Sequence, residues 1–233
     1  MLDYDVILFD LDGTLLPMDQ EKFVNGYFKM LAAKLAPYGY EPQQLINAIL
    51  AGIEAMIKND GSKLNEDAFW KRFVEIYGDK VLADKPVFEG FYKNEFQDAR
   101  SFCGFNPKAA ETVRSLKDKG YRVVLATNPL FPSIATESRI RWAGLEPSEF
   151  DLYTTYENTS YCKPNLDYYR DILKRIDCRP EECLMVGNDV GEDMVVEALG
   201  LQVFLLTDCL INTQKKDITA YPHGSFEQLL SML

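Results

Sequence analysis

The sequence predicts an α/β protein, a doubly wound parallel sheet with a helical unit inserted after its first strand. Three observations carry that reading. Short apolar runs at Val6-Ile7-Leu8-Phe9, Tyr121 to Ala126, Cys183 to Val186 and Gln202 to Leu206 read as buried parallel strands. Segments with apolar residues every three or four positions separate the later runs, as β-α units require. Between the first two runs lie roughly 85 residues of helical periodicity without β-type alternation.

Taken in order, Phe23, Tyr27, Met30, Leu31 and Leu35 mark one inserted helix, and Leu45, Ile49, Ile53 and Met56 a second. Phe69, Phe73, Ile76 and Tyr77 mark a third, which starts at Asn65-Glu66-Asp67, where a capping side chain and acidic residues suit a helix N-terminus. Pro86 to Phe96 gives one more helix. Asn106 as N-cap, Pro107 at the first helical position and Gly120 past the end bracket a helix built on Ala109, Ala110, Val113 and Leu116. The next strand ends at Thr127-Asn128-Pro129, and a helix from Ser133 to Trp142 stops at Gly144. A short strand at Leu152 to Thr155 and a helix from Leu166 to Ile176 follow. A helix carrying Met194, Val195 and Ala198 separates the last two long strands, and Ser225 with Gln228 forms a capping box for the final helix. The expected division is an α/β core at 1–16 and 101–233, with a helical unit at 17–100.

Composition excludes several classes of function. No apolar run approaches the roughly 20 residues of a membrane span. Met1-Leu2-Asp3-Tyr4-Asp5 lacks the basic region of a secretory signal, so a soluble cytoplasmic protein without a membrane partner is expected. A net charge of −11 argues against a nucleic-acid partner, which needs clustered Lys and Arg. The same charge means that an anionic ligand has to be drawn in by a metal ion or by local basic residues. Cys103, Cys162, Cys178, Cys183 and Cys209 form no CxxC pair, and their odd number points to reduced thiols. His223 is the one histidine, which rules out Ser-His-Asp, Cys-His and multi-histidine metal chemistry.

The chemistry concentrates at predicted strand ends. Asp10-Leu11-Asp12-Gly13-Thr14 delivers two carboxylates, two residues apart, to the carboxyl end of the first strand. One carboxylate there can attack phosphorus while its neighbour moves the proton. Read alone, the segment has a plainer alternative, a strand that stops at an Asp-Gly turn. Thr127-Asn128, Lys163-Pro164 and Gly187-Asn188-Asp189, with Glu192 and Asp193, lie at later strand ends or the loops after them. All could converge on one crevice, where open α/β sheets place their ligands.

In this order the segments resemble the motifs of the haloacid dehalogenase superfamily of phosphohydrolases. Asp10 to Leu15 matches the first motif, Thr127 the second, Lys163-Pro164 the third and Asp189 to Asp193 the fourth. The long insert is similar to the family's helical cap of the C1 type. The resemblance implies Asp10 as nucleophile, forming an aspartyl-phosphate, and Asp12 as general acid and base. It implies that Thr127, Asn128 and Lys163 hold the phosphoryl group, with Thr127 and Lys163 also balancing transition-state charge. It further implies a Mg²⁺ cofactor among Asp10, Asp12 (through its carbonyl), Asn188, Asp189 and Asp193, and a small phosphorylated metabolite as substrate, in a monomer or homodimer. The fourth motif departs from the family's pattern, because Asn188 stands where an aspartate usually follows the glycine. A hard dication gains more from a carboxylate than from an amide, which favours Asp189 as the ligand over Asn188. Other readings are a sugar-phosphate mutase of the same superfamily and a dehalogenase, in which Asp12 would have no leaving oxygen to protonate. A phospho-accepting signalling domain would be about half this length, and the full acidic set argues against an idle binding protein.

Overall fold

The computed structural model describes residues 4–233, so the expected start of the core at residues 1–3 lies outside the described residues. The chain enters through β1 (Val6–Phe9) and then runs through α1 (Gln20–Leu35), α2 (Pro42–Ile57), α3 (Asn65–Tyr77), α4 (Lys80–Ala83) and α5 (Lys85–Lys93). A 3-10 segment, Glu95–Phe102, leads to α6 (Pro107–Asp118), β2 (Arg122–Leu125), α7 (Ser133–Trp142) and β3 (Leu152–Tyr153). Then come α8 (Leu166–Ile176), β4 (Cys183–Gly187), β5 (Gln202–Leu206), β6 (His223–Gly224) and α9 (Phe226–Met232). Among the described residues no helix is long and apolar enough to cross a membrane.

Among the described residues six strands form one sheet in the order β3-β2-β1-β4-β5-β6, and every pairing is parallel. β1 sits between β2 and β4, with Phe9 level with Leu125 on one side and Val186 on the other. The residues that follow these three positions therefore emerge side by side at one edge. That register is what brings Asp10, Thr127 and Asn188 together.

Alternate residues of β1 feed two cores, because successive strand side chains point to opposite faces. Val6 and Leu8 pack with Val124, Met185, Leu205 and the α8 residues Tyr168 and Ile172. Ile7 and Phe9 pack with Leu125, Val186, Leu116 of α6 and Ile140 of α7, and this second core continues without a break into the insert through Phe23, Tyr27, Phe91 and Phe96. Phe96 is the joint. Its ring meets Phe23, Tyr27 and Phe91 on the insert side and Phe131 and Trp142 on the sheet side, at centroid distances of 5.2–6.3 Å.

Two expected elements differ, and one strand was not expected. The helix expected over Pro86 to Phe96 breaks at Asn94, where φ is −117° and ψ −82° and the side chain donates to the Gly90 carbonyl at 2.7 Å. The helix expected around Met194 is a 3-10 segment, Met194–Leu199, closed by Gly200 at φ +96°. β6 had no expectation, being two residues long at the sheet edge.

Replacing the Phe96 ring by a methyl group opens a cavity on both sides of the joint. Phe96→Ala is expected to lower stability by about 3–5 kcal/mol. Urea unfolding should shift equally whether it is followed at Trp70 of the insert or Trp142 of α7. A loss below about 1 kcal/mol would mean that the joint is loosely packed.

Candidate active site

The carboxyl ends of β1, β2 and β4 open onto a cavity of about 170 Å³ lined by Asp10, Asp12, Thr127, Asn128, Asn188, Asp189, Glu192 and Asp193. Lys163 lies beneath it, only 2% exposed, and is joined to Pro164 by a cis peptide bond. Its ammonium donates to Asp10 Oδ1 at 2.8 Å and to Asp193 Oδ1 at 2.6 Å. Burial alone favours loss of the lysine proton, but the charges of Asp10 and Asp193 outweigh it and hold the pKa well above the ordinary value. Burial pushes Asp193 up to about 7, with Lys163 opposing and Asp10 adding to the rise. All the expected site residues are thus brought together.

The fourth segment is locked from both sides. Asn188 accepts from the Thr14 hydroxyl through Oδ1 at 2.9 Å and donates from Nδ2 to the Cys209 carbonyl at 2.7 Å, so both ends of its amide are engaged. Asp193 Oδ2 accepts from the Asp189 backbone N–H at 3.0 Å, which leaves that carboxylate fully used as well. Asp189 Oδ1 accepts from the N–H groups of Gly191 and Glu192 at 2.7 and 3.1 Å. Its second oxygen has no hydrogen-bond partner among the described residues. Two glycines make this packing possible. A Cβ on Gly13, at φ +92°, would run into the Asn188 amide, and one on Gly187 would run into the Asp193 carboxylate.

Thr127 lines the cavity, and its carbonyl is held by the hydroxyls of Thr154 and Tyr168 at 2.7 and 2.8 Å. Asn128 Nδ2 donates to Glu192 at 3.0 Å, while Asn128 Oδ1 is buried without a partner. Burial raises the Glu192 carboxyl above its ordinary value, although Lys163 pulls the other way.

Arg139 of α7 was not among the expected site residues. It is fully buried and paired with Asp12 Oδ2, and its guanidinium carbon lies 4.3 Å from the centroid of the Phe131 ring. Asp12 Oδ1 is buried without a hydrogen bond. Burial raises the Asp12 pKa, Arg139 opposes the rise and Asp10 reinforces it. A signal was present in the sequence, because Ala135, Arg139 and Trp142 share one buried face of α7. A charged residue on such a stripe is rarely left unpaired.

The cavity therefore collects five carboxylates against the two buried cations Lys163 and Arg139. Among the described residues no three His, Cys, Asp or Glu side chains converge at metal-ligand spacing. A small oxygen-seeking dication that keeps most of its waters and takes one or two carboxylates still fits this donor set. Both the negative surplus and the unpartnered Asp12 oxygen are consistent with such an ion.

The family model for haloacid dehalogenase-like hydrolases matches residues 4–195. The chain is 25% identical over 187 residues to the pyrophosphatase PpaX of Bacillus cereus, covering 79% of this chain and 74% of that one. It is 25% identical over 204 residues to a ribulose-1,5-bisphosphate 5-phosphatase of Halopiger xanaduensis, covering 85% and 83%. Its fold is similar to that of a predicted phosphoglycolate phosphatase from Haemophilus somnus, with a TM-score of 0.61 at 17% identity over 100% and 99% of the two chains.

The raised Asp193 carboxyl has a measurable consequence. A folded-state value above that of the unfolded chain gives stability that is complete at low pH and is lost as pH rises through about 7. In a chelator, the urea midpoint of the wild-type protein should fall between about pH 4 and pH 7, and that of Asp193→Asn should fall less. Parallel profiles would show that Asp193 is ionised across the whole range.

Proposed function

The chain belongs to the haloacid dehalogenase-like hydrolases, and we propose that within them it is a Mg²⁺-dependent phosphatase of small phosphorylated molecules. The observation that carries the reading is the Asp10 carboxylate held by the buried Lys163 at the mouth of β1, two residues from Asp12. Relatives acting on pyrophosphate and on a sugar bisphosphate support it.

In this reading Asp10 attacks phosphorus, the bond from phosphorus to the leaving oxygen breaks, and Asp12 gives that oxygen its proton. Water then attacks the aspartyl-phosphate, returns a proton to Asp12 and releases phosphate. Burial, which raises the Asp12 pKa, favours the protonated form needed in the first step, while Arg139, which opposes the rise, favours the ionised form that accepts a proton in the next. Lys163 holds Asp10 in place and, with Thr127 and Asn128, binds the phosphoryl oxygens as charge spreads over them. Asp10, the Asp12 carbonyl and Asp189 would hold Mg²⁺. The ion, when bound, supplies the positive charge that lets a phosphate enter a cavity of carboxylates. Asp189 is favoured over Asn188 because its second oxygen is uncommitted, whereas both ends of the Asn188 amide are tied to Thr14 and Cys209. Asp193, both of whose oxygens are engaged, supports the ion indirectly by holding Lys163 and the Asp189 backbone. The helical insert at 17–100 acts as the cap, which excludes water from the site and meets the rest of the substrate.

The central test is Asp10→Asn, expected to keep the fold and abolish hydrolysis of an aryl phosphate in the presence of Mg²⁺. A folded variant that retains near wild-type turnover would remove Asp10 from the nucleophile's role.

A metal titration separates the two candidates in the fourth segment. Asp189→Ala should raise the Mg²⁺ concentration for half-maximal activity by about tenfold or more, and Asn188→Ala by less. The reverse order would put Asn188 in the ligand position.

A further inference from the structure

A second cavity of about 280 Å³ opens beside the acidic one, between the insert and the loop after β2. The two share Val24, Leu130 and Phe131 in their linings. An organic group attached to a phosphoryl at Asp10 would pass these three side chains to enter it. The character of the second cavity is opposite to that of the first. Phe28, Leu31, Ile49, Ile53, Phe69 and Phe88 form its walls.

Some of the polar side chains on its lining pair with one another or with a neighbour. The Tyr27 and Tyr92 hydroxyls bond at 2.8 Å, and Trp70 Nε1 donates to the Tyr156 hydroxyl at 3.4 Å. Lys85 lies 3.7 Å from Glu66 and 4.6 Å from the centroid of the Trp70 ring. Glu89 lies 3.9 Å from Lys93. A polyhydroxylated leaving group placed here would lose its water against walls that are mostly apolar, at a cost of about 1–3 kcal/mol for each polar group left unsatisfied. An apolar group loses nothing by the same transfer and gains with each carbon buried. The volume is nearly twice the roughly 150 Å³ of an apolar cavity that takes up benzene.

From this juxtaposition we infer that the substrate is a phosphate monoester of an apolar alcohol, a medium-chain alkyl or bicyclic aromatic one, whose hydrocarbon part fills the chamber walled by Phe28, Ile49, Ile53 and Phe88. The inference rests on the phosphatase reading for its chemistry, and the bond broken is the same. The phosphorus–oxygen bond is cleaved by water, and the products are the alcohol and inorganic phosphate.

The test is a series of n-alkyl phosphates from methyl to hexyl, with ribose 5-phosphate as the polar comparator, assayed with Mg²⁺. These alkyl esters share one leaving-group basicity, so a trend along the series reports binding of the chain. The expected result is a rise in kcat/KM of about three- to fourfold for each added methylene, with ribose 5-phosphate well below hexyl phosphate. Ile53→Trp, which fills the chamber, and Leu50→Lys, which places a charge at a half-exposed position on its lining, should each lower the hexyl-to-methyl ratio tenfold or more. A flat series, or ribose 5-phosphate ahead of hexyl phosphate, would overturn the inference and leave the phosphatase reading standing. If no ester is hydrolysed, the phosphatase reading fails, and calorimetry with hexylphosphonate and methylphosphonate still tests the chamber by itself. Tighter binding of the hexyl compound supports an apolar ligand, whereas equal or absent binding of the two overturns it.

Discussion

The Lys163 ammonium, held between Asp10 and Asp193, is the contact on which the arrangement of the site depends. A cation this deeply buried is tolerable only with close, hydrogen-bonded counter-charges, and removing one partner of such a group typically costs several kcal/mol. Three distant stretches of chain must therefore arrive together, the end of β1, the loop before α8 and the turn after β4. The requirement propagates outward. Asp193 reaches Lys163 only because Gly187 has no side chain in its way, and its other oxygen then fixes the Asp189 backbone. The turn so fixed presents Asn188 to Thr14, which closes the ring back onto the loop after β1. The interaction's contribution is to geometry more than to net stability, since desolvating three charges offsets much of what their attraction returns.

Much of this was legible in the sequence. β1, β2, β4 and β5 are short apolar runs that only a strand buried on both faces requires, and strand ends in a parallel sheet have one place to converge. Asp10, Lys163 and Asp193 could be gathered on that ground before any side chain was placed. Arg139 could not, because its importance comes from a partner 127 residues away, and only the burial of its helix face hinted at one. The same holds for Asn65, expected as part of a helix start. Its side chain instead accepts from Asn59 at 2.9 Å and donates to the Tyr161 carbonyl at 3.1 Å, tying α3 to the loop that carries Lys163. The break at Asn94 was hidden for another reason. The aromatic spacing over Phe88, Phe91 and Phe96 fits a helix and carries no sign of the turn at Asn94, whose side chain and backbone N–H both bond to the Gly90 carbonyl.

The insert contributes two unlike surfaces to the region above the sheet. Its side chains Gln20, Phe23 and Val24 meet the acidic cavity, while the faces of α2, α3 and α5 enclose a space with mostly apolar walls, where Tyr27 bonds to Tyr92 and Trp70 to Tyr156. Phe131 stands at the boundary, with the Arg139 guanidinium stacked against its ring. One aromatic side chain thus touches the support of Asp12 and the wall of the apolar chamber together. A rearrangement of Phe131 would be felt on both sides, which gives the occupancy of one space a short physical path to the charge arrangement of the other.

The hydrogen bond from Thr14 to Asn188 joins residues 174 positions apart, and that from Lys163 to Asp10 spans 153. During synthesis, then, β1 and its two aspartates emerge first and wait while the rest of the sheet is made. The helices of the insert can form early from local contacts, but β1 acquires its β4 neighbour only when most of the chain exists. No nascent fragment that ends before residue 193 holds Lys163 between its two carboxylates. The site is therefore assembled late in the making of the chain, and a growing chain carries Asp10 and Asp12 well before Lys163 and Asp193 join them.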